Sequence, residues 1–265
     1  MENQSPFNEF LNKLKQKRNF EEVKLPSRNL TYEDIGLSID QPIHVRPMTM
    51  NEEKILSTSR LIKSGQALDK IFESCIQENI DVGKLLTVDR TYLLFFIRGI
   101  SYGKNYEVTL KCPSCNESFD EEIDLDSLSY EYAEDSFSDN IKDELPDAKV
   151  PFWYRYPRGN DEKNLNRYRQ QMNKAFGNNL LDDTIIKRNI MLINKIGDFS
   201  NQMEIEQIIN NLSVVDSNYI RDVTTEPSFG LNTKIALGCP MCYHNWEMEL
   251  PIDTNFFFPK TKKQS

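Results

Sequence analysis

VTLKCPSCNESFDEEIDL, residues 108–125, and IALGCPMCYHNWEMELPI, residues 235–252, align without a gap at a constant offset of 127 residues. Val108 falls on Ile235, Leu110 on Leu237, Phe119 on Trp246, Ile123 on Leu250 and Leu125 on Ile252, and the two CPxC motifs coincide. In each copy an alternating apolar–polar run leads into the cysteines and a second leads out, the period of a half-buried strand. The pattern predicts two β-hairpins, each with a pair of thiols on its turn. Two cysteines separated by two residues on a tight turn aim both sulfurs at one point and supply half of a tetrahedral shell. Two such knuckles, related by an approximate twofold axis, complete it. The candidate metal ligands are therefore Cys112, Cys115, Cys239 and Cys242, holding one structural Zn²⁺ per chain. A closed shell leaves no position for an activated water, so the metal's expected role is in folding.

Other uses of these cysteines stay open at this level. A redox CxxC needs only one pair, and no thioredoxin-like βαβ pattern accompanies either. Disulfides would conflict with the polar N-terminus, MENQSPFNEF, which has no secretory character and leads us to expect a reducing cytosol. Plain core cysteines are the third option. His244 could replace a thiol as ligand or lie at the surface. Many knuckles carry glycine just after the second cysteine, where φ is positive; Asn116 suits that position and Tyr243 suits it poorly.

With 265 residues, a 38% hydrophobic share and a net charge of −9, the chain is long enough for one or two globular domains. An acidic chain gains nothing from counterion release, so nucleic acid is not an expected partner. Basic residues gather only weakly, at 13–18 and 260–263. The knuckle flanks are acidic (Glu117, Asp120, Glu121 and Glu122; Glu247 and Glu249), which weighs against the alternative of a zinc-ribbon nucleic-acid-binding or transcription regulatory protein. The longest apolar run, 93–97, is far short of a membrane span. Two histidines, no GxGxxG or GxxxxGK[ST] loop and no Ser/His/Asp order give no catalytic residues, so an enzyme is not expected.

The fold class expected is α+β, with mainly helical subdomains joined by a four-cysteine zinc ribbon made of two pseudo-symmetric β-hairpin knuckles. Residues 1–24 form an N-terminal amphipathic arm, with Ser5 and Pro6 opening a helix that bears Phe7, Phe10, Leu11 and Leu14. Residues 25–105 form a strand-plus-helix subdomain. Ile43 and Val45, with Met48 as a further candidate, mark its strand in PIHVRPMT, and Thr49 with Glu52 forms a capping box ahead of Ile55 and Leu56. Leu68, Ile71, Phe72, Cys75 and Ile76 mark a helix with Cys75 on its buried face, and Asp89 opens a third helix that ends at Tyr102-Gly103. The section between residues 19 and 41 could dock on a partner or pack on its own core. Residues 106–125 with 232–254 form the split ribbon, and 126–231 an inserted acidic segment and helical subdomain. In that insert VPFWYRYP reads as a strand, and helices follow at Leu165/Tyr168/Met172/Phe176, at 185–196, at Ile205/Ile208/Ile209/Leu212 and from an Asp216 cap through Ile220 and Val223. Residues 255–265 form an aromatic segment and basic tail; as a strand, Phe256, Phe257 and Phe258 cannot all face one core, so at least one meets another element or another chain.

Several ordered blocks resemble a known family. Leu25-Pro26-Ser27, Val45-Arg46-Pro47-Met48-Thr49, Glu52-Glu53, Asp89-Arg90, the 98–102 run and residues 106–115 are similar to the T4-type phage baseplate proteins, the family of the baseplate hub subunit of contractile-tailed phages. The likeness covers residues 25–125 well; the second CPxC and the Phe-Phe-Phe-Pro ending are less specific. It implies a structural or assembly component of the tail baseplate hub, non-catalytic, found in the virion or in host cytoplasm during assembly. The partners implied are other tail and baseplate proteins (hub, wedge or tape-measure components), with homo-oligomers admitted and no membrane. The chain departs from the pattern in lacking glycine after each knuckle and in its long acidic connection after the first.

Overall fold

The structure is a computed structural model and describes residues 7, 8, 10, 19–176, 183–252 and 254–258. Of the N-terminal amphipathic stretch, Phe7 and Phe10 are helical and exposed. Ser5, Pro6, Leu11 and Leu14 lie outside the described residues, as do both basic clusters, 13–18 and 260–263.

Strands β1 (Glu21–Val23) and β2 (Ile43–Val45) pair antiparallel, with Val23 opposite Ile43. The chain between them doubles back through turns at Arg28 and Asn29, both at positive φ, and the Asn29 side-chain amide donates to Ser38 O at 2.9 Å and Gln41 O at 2.8 Å. Val23, Leu25, Tyr32 and Leu37 are buried, so this section packs on its own core. Helix α1 (Met50–Leu56) carries the expected capping box from Thr49 and Glu52. After α2 (Ser59–Lys63), α3 (Ala67–Cys75) buries Ile71, Phe72 and Cys75, and burial pushes the Cys75 thiol up to about 12.

Helix α4 (Thr87–Tyr102) is the central pillar. Asp89 does not open it. The helix starts two residues earlier, and the Asp89 carboxylate is turned inward, accepting from Ser27 N at 2.9 Å and from the Tyr32 hydroxyl. Hairpin strands β3 (Asn105–Lys111) and β4 (Ser118–Asp124) follow. The acidic connection is less of a solvated loop than its composition suggests. Leu125, Ala133 and Leu145 are buried, and it contains β5 (Tyr130–Glu131) and β6 (Ile141–Glu144).

Helices make up more of the insert than strands do, but a three-stranded sheet also lies within it. Strand β7 (Pro151–Tyr154) sits between β6 and a strand, β8 (Ile193–Ile196), in a stretch where the apolar pattern predicted helix. After α5 (Gly159–Phe176), helix α6 (Thr184–Leu192) stops at Leu192, and Ile196 pairs with Phe152. A short apolar run fits either period; here the free edge of β7 takes it as a strand. Leu165, Tyr168 and Met172 form the half-buried side of α5, while the side chain of Phe176 lies outside the described residues. Helix α7 (Gln202–Asn211) buries Ile205 and Ile209. Helix α8 (Val214–Thr225) is capped by Ser213, whose hydroxyl accepts from Asp216 N, and not by Asp216. Asp216 instead accepts from Asp147 N at 2.8 Å and Ala148 N at 3.1 Å, pinning the turn before β7. Strand β9 (Gly230–Leu231) pairs with β5, and β10 (Lys234–Gly238) pairs with β11 (Asn245–Glu249). The last described element is α9 (Thr254–Phe257). Because this segment is a helical turn and not a strand, successive Phe residues point about 100° apart. Phe256 is fully buried against Phe95 and Tyr106, at ring distances of 4.9 and 5.3 Å. Buried apolar residues from the N-terminal part, the hairpins, the insert and Phe256 join in one core cluster.

Candidate metal centre

Each cysteine pair sits at the tip of a hairpin whose register the sequence alternation fixes. In the first, Leu110 lies opposite Phe119 and Tyr106 opposite Ile123; in the second, Leu237 lies opposite Trp246 and Ile235 opposite Met248. Val108, Leu110, Ile235 and Leu237 are buried, and the intervening residues are exposed. A one-residue slip would put all four in water, so burial enforces the register.

The two turns are built alike. Cys112 N donates to Glu117 O and Cys239 N to His244 O, both at 2.9 Å; Asn116 N donates to Cys112 O at 3.0 Å and Tyr243 N to Cys239 O at 2.9 Å. The residue after each second cysteine is left-handed, Asn116 at φ 61° and Tyr243 at φ 58°. Asparagine tolerates that region, whereas an ordinary side chain there costs roughly 1–2 kcal/mol. Tyr243 adopts it nonetheless. The hairpins meet as the offset implies: Phe119 and Trp246, equivalent in the alignment, pack edge to face with centroids 6.1 Å apart.

The four sulfurs converge. Cys112 Sγ and Cys242 Sγ are 3.7 Å apart, Cys115 Sγ and Cys239 Sγ also 3.7 Å, and all four lie within 4.8 Å of one another. A tetrahedral site with Zn–S bonds of about 2.3 Å has sulfur–sulfur edges of about 3.8 Å. The spacing is much longer than a disulfide bond of about 2.05 Å. Cys112 and Cys239 are buried, Cys115 is half-buried and Cys242 is exposed. Burial raises the Cys112 thiol, but the N–H groups of Cys115 and Ser114 outweigh it and draw it down to about 7. At Cys115 the Glu117 N–H favours the thiolate, yet burial and three neighbouring thiols push the group up to about 12. Four sulfurs this close cannot all be anionic without a cation among them, so the donor set fits a soft divalent metal. His244 is outside the cluster; its exposed ring stacks on Trp246 at 6.0 Å.

Below the hairpins lies a set of buried polar contacts that the sequence blocks contain but whose pairing no spacing revealed. Asp89 joins Ser27 to Tyr32, and the Tyr32 hydroxyl accepts from Leu86 N at 2.7 Å. Arg46 reaches Glu52 at 3.1 Å and Ser74 at 2.8 Å, and Ser74 donates to Glu52 at 2.5 Å. Burial alone would raise the Glu52 carboxyl, but bonds from Arg46, Ser74 and Thr49 hold it at about 2. Arg90 pairs with Asp69 at 2.8 Å under near-complete burial. Arg98 donates to the carbonyls of Gly103 and Asn105 and lies over the rings of Tyr106 and Phe256. A clue was available, since charged residues inside apolar helical runs rarely lack a buried partner. The Arg98 contacts tie the base of β3 to α4 and to α9, and Tyr106 Oη donates to Pro251 O at 2.8 Å, joining the two hairpins at the end away from the sulfurs.

A family model described as T4 bacteriophage base plate protein matches residues 18–258. No curated protein and no solved structure matches the chain. Among the described residues no helix is long and apolar enough to cross a membrane.

Proposed function

The chain belongs to the T4 bacteriophage base plate protein family, and on that footing we propose that it is a non-catalytic structural or assembly component of the hub of a contractile-tail baseplate. Membership gives the coarser part, a structural baseplate protein of the virion tail that meets other tail proteins. The hub assignment is supported by the ordered blocks of residues 25–125. In this reading Cys112, Cys115, Cys239 and Cys242 hold one structural Zn²⁺, and the two hairpins act as a split zinc ribbon. The metal would supply a four-thiolate cross-link, and the chain's own residues orient its ligands through the matched turn hydrogen bonds of the two knuckles. The ribbon is a staple closing the insert of residues 126–231 against the N-terminal subdomain of residues 25–105, with residues 1–24 and 255–265 as flanking arm and tail.

The observation that carries the metal half is the convergence of four sulfurs from hairpins more than a hundred residues apart in sequence. The acidic hairpin flanks disfavour the nucleic-acid reading. The experiment is to follow the tagged full chain through tail assembly and to measure its metal. Co-sedimentation with hub intermediates and about one zinc per chain are expected. A chain that sediments with peripheral wedges alone overturns the hub assignment, and metal-free native protein overturns the staple.

A further inference from the structure

The two knuckles share one backbone but differ at their tips. The first places Ser114 and Asn116 where the second, at the 127-residue offset, places Met241 and Tyr243. Met241 is 66% exposed and Tyr243 is 83% exposed, although both are large and apolar enough to be drawn inward elsewhere. Tyr243 also takes the left-handed conformation that Asn116 takes at low cost. Folding does not require this: asparagine or glycine at 243 would give the same turn with less strain and less apolar surface in water. Strain combined with an exposed aromatic ring is a feature of binding sites, where tyrosine is a frequent anchor residue.

The surroundings select the partner. Strands and turns of the two hairpins, residues 105–124 and 234–249, carry eight carboxylates, all exposed, against Lys111 and Lys234. Two copies of this chain meeting tip to tip would bring like charges together, which opposes self-association through this surface. We infer that the Met241–Tyr243 tip is a docking knob that inserts into an apolar pocket with a basic rim on another baseplate protein. The ring and thioether fill the pocket, while carboxylates along the hairpins meet lysine or arginine around it. The four-cysteine cluster beneath, with Cys242 between the two tip residues, would hold the knob rigid once bridged by a metal, so that little conformational entropy is lost on docking. The inference rests on the baseplate reading above.

The test exploits effects of opposite sign. In the full-length chain Tyr243→Gly and Tyr243→Asn should raise the thermal midpoint by a few degrees, because strain is relieved. The same variants should enter baseplates about tenfold less well than wild type, the loss of one anchor side chain, and Met241→Ser should repeat the assembly loss. A photocrosslinker at position 243 should label a basic segment of a different tail protein. Variants that are more stable and assemble normally overturn the inference, as does a crosslink to a second copy of this chain or to an acidic surface. If wild-type chain is itself missing both from purified baseplates and from their assembly intermediates, the baseplate reading fails; if wild type is present and the variants equally so, only the docking knob fails.

Discussion

Removing one sulfur, by Cys239→Ser, tests the staple quantitatively. The Cys115–Cys239 contact joins residues 124 apart in sequence. If no other contact held that loop, cross-linking it would be worth about 5 kcal/mol of unfolded-state entropy. The structure shortens the relevant loop, because Asn232 N donates to Ser129 O at 2.8 Å and β5 pairs with β9 just beyond. With that pairing intact, the cross-link closes only the two arms between it and the sulfurs, roughly 20 residues, worth about 3 kcal/mol. The expected loss is therefore about 3–5 kcal/mol, or roughly 6–20 °C in thermal midpoint for a chain of this size. Thermal unfolding of wild type and Cys239→Ser, each with and without a strong zinc chelator, is the assay. Chelation should lower wild type to the level of the variant and leave the variant unmoved, because both treatments remove the same cross-link. A wild-type midpoint indifferent to chelator, or a variant that loses further stability with it, would refute the reasoning.

Glu52→Gln should destabilise by about 2 kcal/mol, as one member of a charge-assisted network with one edge toward solvent. The wild-type carboxyl is held at about 2, below its ordinary 4.5. Its contribution is thus complete above about pH 4.5 and lost as pH falls through about 2; acid titration of stability in both chains should show that difference, and parallel curves would refute it. Phe256→Ala removes a fully buried ring from between Phe95, Tyr106 and Arg98 and should cost about 3–5 kcal/mol in urea unfolding; a loss below 1 kcal/mol would mean that α9 is not part of the core. Tyr32→Phe strips Leu86 N of its acceptor and Asp89 of a donor in full burial, with an expected loss of about 2–3 kcal/mol. An unchanged unfolding midpoint would show that other groups take over both bonds.

Several segments take their form from groups distant in the chain. At β8, residues 193–196 continue an apolar pattern that suits a helix, and only the unpaired edge of β7 turns them into a strand. Asp89 and Asp216 both have the composition and position of helix caps, yet each spends its carboxylate on backbone N–H groups more than sixty residues away in sequence. A carboxylate near a helix start satisfies whichever donors the tertiary fold leaves without water, and local pattern carries no record of those. The same applies to Phe256–Phe258, where a helical turn and not a strand resolves how three aromatic residues share one core.

The amino-acid string encodes the two hairpins, their register and the equivalence of the cysteine pairs locally, because a period of two and a CPxC turn are short-range properties that burial then locks. It also carried the blocks of residues 25–125 in which the family likeness was visible. Folding in three dimensions is what brings the two knuckles together with their sulfurs within 4.8 Å, pairs the charged residues of those blocks inside the core, and turns Tyr243 outward in a strained turn. Each depends on groups distant in the chain meeting in a medium without water, where an unpaired charge or donor is too costly to leave.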